Sequence, residues 1–106
     1  MRFSKKFKKI LLDRKDLSSI LDEFEVKLCS IKRIKDFNKY PTRTIKGFID
    51  YERDRICIEK SLPKEEKEIT ILHELLHEFY DDRDLARNDY AVEKETMKIW
   101  WSKKYN

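Results

Sequence analysis

From Phe3 to Phe24 the apolar residues fall at 3, 7, 10, 11, 17, 20, 21 and 24, a helical cadence that predicts one amphipathic N-terminal helix. The next stretch, EFEVKLCSI, alternates: Phe24, Val26 and Leu28 oppose Glu25 and Lys27, which predicts a half-buried strand. KDFNKYPT reads as a loop broken by Pro41. RTIKGFIDYERDRICIEK reads as a hairpin, with Ile45, Ile49 and Tyr51 on one face of its first strand, Ile56 and Ile58 on the second, and ERDR turning between. SLPKEEKEITILHELLHEFYDD is the strongest helix. Ser61 and Pro63 mark its start, and Glu65, Glu66 and Glu68 suit its positive N-terminal end. RDLARND is a turn, and YAVEKETMKIWWSKKY a last helix. The expected order is α-β-β-β-α-α, a single α+β domain spanning residues 1–106.

Gly47, the only glycine, falls inside the first hairpin strand. It marks either a bulge or packing concession, or a place where another backbone approaches closely.

Charged residues make up 43% of the chain, yet the aromatic and Ile/Leu content is too high and too periodic for a solvated, disordered segment. Few glycines and prolines among many Lys, Glu and Arg resemble a heat-adapted composition with ion-pair networks. The net charge is +4 with basic residues widely spread, and no nucleic-acid motif accompanies KKFKK or IKRIK, which argues against a nucleic-acid partner. The N-terminal apolar run Ile10-Leu11-Leu12 is too short for a signal peptide and no stretch approaches a membrane span, so a cytoplasmic protein is expected. Cys29 and Cys57 do not form a CxxC pair; they read as small apolar residues in strands, or as a disulfide between neighbouring strands.

The two histidines, His73 and His77, stand four apart in HELLH, with Glu74 directly after the first. On a helix they lie about 40° apart. Two neutral imidazoles so placed can reach one metal ion, and the carboxylate on their flank can act as a general base without ligating: this is the mechanical content of H-E-x-x-H. Chance produces the motif in such a chain on the order of once in five hundred. A catalytic zinc site needs a third protein ligand and an open position. Glu78, Asp81, Asp82 and Asp84 lie too close along the same helix or its end. The next helix offers Glu93 and Glu95, and periodicity does not choose between them. Tyr80 and Tyr90 are the nearest donors for an oxyanion.

HELLH followed by a glutamate on the next helix is the gluzincin pattern of zinc metallopeptidases. GFIDYERDRICIEK…EEKEITILHELLH…YAVEKET resembles the minigluzincins, of the jannalysin, abylysin and selecase type, and more distantly the catalytic part of ImmA/IrrE-type metallopeptidases. The likeness covers about residues 44–101. It implies a zincin-like fold and a Zn2+-dependent endopeptidase acting on peptides or unfolded protein. It implies Glu93 as third metal ligand beside His73 and His77, and Glu74 as the catalytic base. It also implies an edge strand, Thr44 to Asp50, along which an extended substrate adds, with Ile45, Gly47 and Ile49 as substrate-binding positions. The larger gluzincins' C-terminal subdomain has no counterpart, so a shallow, weakly selective cleft is expected. The alternative is a latent or regulatory zincin-like protein, held inactive by self-association or by the C-terminal segment with Trp100, Trp101 and Tyr105; those aromatics also fit ordinary core packing.

Overall fold

The computed structural model describes residues 1–31, 46–85 and 87–106. Helices α1 (Lys5–Asp13) and α2 (Lys15–Asp22) come first, then strands β1 (Glu25–Cys29), β2 (Gly47–Asp50) and β3 (Arg55–Glu59). Helices α3 (Lys64–Asp81) and α4 (Asp89–Trp100) follow, and a 3-10 turn, Lys103–Tyr105, ends the chain. The fold is a small α+β arrangement with a mixed three-stranded sheet. No helix among the described residues is long and apolar enough to cross a membrane.

The single helix expected from Phe3 to Phe24 is two. Arg14 leaves helical geometry (φ −112°, ψ 73°), and its guanidinium turns back onto Asp16, with contacts of 3.0 and 3.2 Å. The apolar cadence carries the cause: Leu12 is exposed and the four residues 13–16 before Leu17 are all charged, so no side chain at the midpoint holds the helix to the core. Ser4 caps α1, its Oγ accepting from the Phe7 amide, while its own N–H donates to the buried carboxylate of Glu68 at 2.7 Å. The first helix is thereby fastened to α3.

β3 is the central strand. β1 pairs with it in parallel (Val26 opposite Ile56) and β2 antiparallel (Ile49 opposite Ile56). The turn between β2 and β3 contains Asp54 at φ 51°, a left-handed position that aspartate tolerates better than most residues. One face of the sheet, with Val26, Ile49, Ile56 and Ile58, lies against α3, whose Ile71, Leu72, Leu75 and Leu76 are fully buried. α2 and α4 close the other sides of α3. Trp100 belongs to this core, packed on Phe7 at 6.3 Å between ring centroids.

Gly47 faces α3. A Cβ there would stand 2.7 Å from Thr70 Cγ2 and 2.9 Å from the Cys57 carbonyl oxygen. The glycine is therefore a packing concession inside the protein. Removing a glycine usually gains about 0.4–1 kcal/mol through the unfolded chain. Here overpacking against a backbone oxygen dominates, so Gly47→Ala is expected to lose about 1–3 kcal/mol. A lowered urea midpoint checks this, and adding Thr70→Ser, which removes the clashing methyl, is expected to recover part of the loss.

Cys29 and Cys57 are both free thiols. Burial, and then the neighbouring Cys29, pushes the Cys57 thiol up to about 12. Because only the thiolate reacts, and its fraction falls tenfold per unit of rise, Cys57 should alkylate about a thousandfold more slowly at pH 8 than an ordinary thiol. Mass spectrometry of native protein treated with iodoacetamide is expected to find label on Cys29 alone at short times.

Candidate metal centre

The histidine pair sits in the middle of α3, where the apolar stripe holds the helix rigid on both sides. His73 and His77 are 4% and 7% exposed, and Glu74 between them is fully buried. The two Nε2 atoms are 3.1 Å apart. Asp89 Oδ1 completes a triangle with them, 2.6 Å from His77 Nε2 and 3.4 Å from His73 Nε2. Among the described residues these three side chains form one group able to hold a metal ion.

Asp89 arrives there because of how α4 begins. Asn88 caps the helix, its Oδ1 accepting from the Ala91 amide at 2.8 Å, which makes Asp89 the first helical residue. Buried Val92, Thr96 and Trp100 fix the rotation of α4 against α3. Asp89 and Glu93, four apart, then share the face turned to the two imidazoles. Glu93 Oε2 lies 2.8 Å from His73 Nδ1, on the opposite edge of that ring from Asp89. Glu95 points elsewhere: it accepts from Tyr80 Oη at 2.6 Å and pairs with Arg87 at 3.2 Å.

Asp89 is thus the member of the site that sequence reading passed over. It lies in the stretch read as a turn, and Glu93, expected as a ligand, faces the far nitrogen of His73. A usable signal was present: Asp89–Glu93 repeats the four-residue step of His73–His77, directly after an asparagine suited to an N-cap.

Glu74 carries the oddest environment. Both carboxylate oxygens are buried and neither has a hydrogen-bond partner among the described residues. Burial foremost, then the charges of Asp89 and Glu78, hold its carboxyl well above the usual range. His77 is displaced downward by burial and by His73, with Asp89 opposing. Burial also raises Glu78, as do Asp82 and Asp81, while the Tyr51 hydroxyl, donating to Glu78 Oε2 at 2.8 Å, opposes the rise.

β2 and α3 run in step. Gly47 lies against Thr70 and the Tyr51 hydroxyl reaches Glu78. Four strand residues span about 13 Å and eight helical residues about 12 Å. Ile49, midway on the same strand face, is fully buried, as is Glu74, midway along the helix between Thr70 and Glu78. Gly47 and Ile49 face the helix, so of the expected substrate positions these two could meet a peptide only through their backbone; Ile45 lies outside the described residues.

The expected oxyanion donors are both turned away. The Tyr80 hydroxyl is engaged by Glu95, and Tyr90, 76% exposed, lines a groove of about 470 Å³ with Arg87, Lys94 and Lys98 on the outer flank of α4. The C-terminal segment is held at α1, through Lys6–Asn106 at 2.8 Å and Lys104–Asp13 at 3.1 Å, with Lys6 over the rings of Trp100 and Trp101.

A tetrahedral ion bonded at ~2.0–2.1 Å places its ligand atoms roughly 3.3 Å apart, and the three observed separations bracket that value. The partnerless carboxylate of Glu74 beside them is what such a centre uses, since water held there would give it a hydrogen-bond donor. The residues present fit a small N/O-ligated divalent cation. No protein-family model, no curated protein and no solved structure matches the chain.

Proposed function

We propose that this protein is a zincin-like, zinc-dependent peptidase that hydrolyses extended or unfolded polypeptides. The observation that carries the reading is the meeting of three ligand atoms at tetrahedral spacing with a buried, partnerless carboxylate one residue along the helix.

His73, His77 and Asp89 would hold the ion, and Glu93 would orient His73. By accepting the Nδ1 proton, Glu93 fixes the tautomer that leaves the Nε2 lone pair free for a metal. A bound zinc ion would polarise the scissile carbonyl and acidify a water toward neutrality. Glu74, beside the ligand pair with both carboxylate oxygens unpartnered, is suited to take a proton from the attacking water at a carboxylate oxygen. It can then deliver that proton to the departing amine.

One observation favours a second reading, a latent form: His73, Glu74 and His77 are all nearly or fully closed to solvent. The C-terminal segment is not a good candidate for that closure, because its described contacts go to α1.

The test is metal analysis of the purified chain together with digestion of an unfolded protein, with and without chelator. The expected result is one zinc per chain and cleavage that chelator removes and added zinc restores. Full zinc occupancy with no cleavage of any unfolded substrate would overturn the peptidase reading; absence of metal binding would overturn the centre itself.

A further inference from the structure

Along the chain the basic residues look widely spread, but the fold gathers them. Residues 1–12 carry Arg2, Lys5, Lys6, Lys8 and Lys9, residues 96–106 carry Lys98, Lys103 and Lys104, and neither stretch contains an acid. α1 and the C-terminal 3-10 turn lie against each other, so the two stretches make one basic end of the molecule. Among the described residues, three hollows cross this end and run along the outer flank of α4. The first, of about 320 Å³, lies between Lys9, Leu12 and Lys104. At Tyr105 it meets a second, of about 310 Å³, walled by Arg14, Ser102 and Lys98. The second meets the groove of about 470 Å³ beside Tyr90 at Glu95 and Lys98, so the three form one shallow channel. Its two acids are engaged: Asp13 by Lys104 at 3.1 Å, and Glu95 by Tyr80 and Arg87. Arg14 is held by Asp16. Lys9, Lys94 and Lys98 line the channel with no ion-pair partner among the described residues. Lys94 and Lys98 stand one helical turn apart, about 6 Å, and roughly 100° and 140° around α4 from Glu93. Tyr90, one turn before Lys94, lines the same hollow and is 76% exposed.

We propose that this channel binds single-stranded nucleic acid, with phosphates on Lys9, Lys94 and Lys98 and a base stacked on Tyr90. Charge complementarity and the bare ring together select the occupant. A nucleic-acid strand carries a negative charge and an aromatic face at every residue, so it can use unpaired cations one turn apart and the adjoining tyrosine along a single path. An acidic peptide answers the lysines alone. A duplex is read by an element that projects into its groove, whereas the basic surface here is recessed. The lack of a linear motif follows from the construction: the cations come from α1, α4 and the C-terminal turn, and meet only in the folded chain. The channel shares no residue with the metal centre, so the proposal does not depend on the peptidase reading.

The test is fluorescence anisotropy of the full chain with a labelled oligothymidylate of about 15 nucleotides, within the site sizes usual for such grooves. Binding is expected to weaken with salt at a log–log slope of about −2, the product of three phosphate contacts at roughly 0.7 each. Replacing both Lys94→Gln and Lys98→Gln is expected to lower affinity about tenfold or more at low salt and to bring the slope to about −0.7. Lys27→Gln with Lys64→Gln removes the same charge at exposed positions outside the channel, and is expected to leave affinity and slope nearly in place. Tyr90→Ala is expected to cost about tenfold, the usual worth of one stacked base. All of these positions are exposed, so the variants keep the fold. No binding at low salt, equal losses in the two lysine pairs, or full affinity in Tyr90→Ala would overturn the proposal. Tighter binding of the corresponding duplex would overturn it too. So would displacement by polyglutamate as effective, charge for charge, as by unlabelled oligothymidylate, a result that would assign the channel to an acidic protein. None of these readouts involves cleavage, so this proposal and the peptidase reading fail separately.

Discussion

Glu74→Gln is expected to lower peptide cleavage by about 10²–10⁴-fold, the usual worth of a positioned general base, while leaving zinc content at one per chain. The substitution keeps the side chain's shape, and shape matters because the group is fully buried. Neither oxygen of Glu74 is hydrogen-bonded to His73 or His77, so the substitution breaks no bond that positions the ligand atoms. The Gln amide inherits a site without hydrogen-bond partners, as the carboxylate did, and the thermal midpoint should move by only a few degrees. Three readouts then separate the roles. Lost turnover with retained zinc and retained fold identifies a catalytic group. Lost zinc would make Glu74 part of the metal shell, and wild-type turnover would remove it from the mechanism. Glu74→Ala is a poorer probe, because it opens a cavity at a fully buried position and confounds chemistry with packing.

The part of the site that could be read in the sequence is the part written within one helix. His73, Glu74 and His77 are bound to each other by helical geometry alone, so their spacing carries the arrangement wherever α3 packs. The third carboxylate depends on where α4 starts and how it is rotated. Both are set by the Asn88 cap and by the burial of Val92, Thr96 and Trp100, tertiary facts that a periodic pattern does not contain. The same limit explains the N-terminal helix. Its four charged residues at 13–16 are few enough to read as the polar face of one helix, since α1 and α2 both lie on the core, and period alone does not register a one-residue break between them. Gly47 was ambiguous for the converse reason: a glycine in a strand reports that something comes close, and only the packing of Thr70 says what it is.

Asp89→Ala is expected to weaken zinc binding on the order of 10²-fold or more, and Glu93→Gln by tenfold or less. Structural zinc sites are worth about 10–16 kcal/mol over four ligands, so roughly 3 kcal/mol goes with one of them, which is a factor above a hundred. Glu93 acts at one remove, on the far nitrogen of His73, and loss of such partners costs about 10–100-fold. The amide oxygen of glutamine still accepts the Nδ1 proton, so the Gln variant should fall at the lower limit and Glu93→Ala higher. Affinities alone could overlap, and the cobalt-substituted protein separates them. Removing a ligand alters coordination number and therefore the visible spectrum, whereas removing the group behind His73 leaves the spectrum in place and only loosens the ion. The expected pattern is a changed spectrum in Asp89→Ala and an unchanged one in Glu93→Gln. Glu95→Gln serves as the control with neither effect, since Glu95 is engaged by Tyr80 and Arg87. The opposite pattern, an altered spectrum in Glu93→Gln and none in Asp89→Ala, would mean that α4 rotates when metal enters. Glu93 would then take the place its resemblance to the gluzincin glutamate implies, and Asp89 would be the residue left outside.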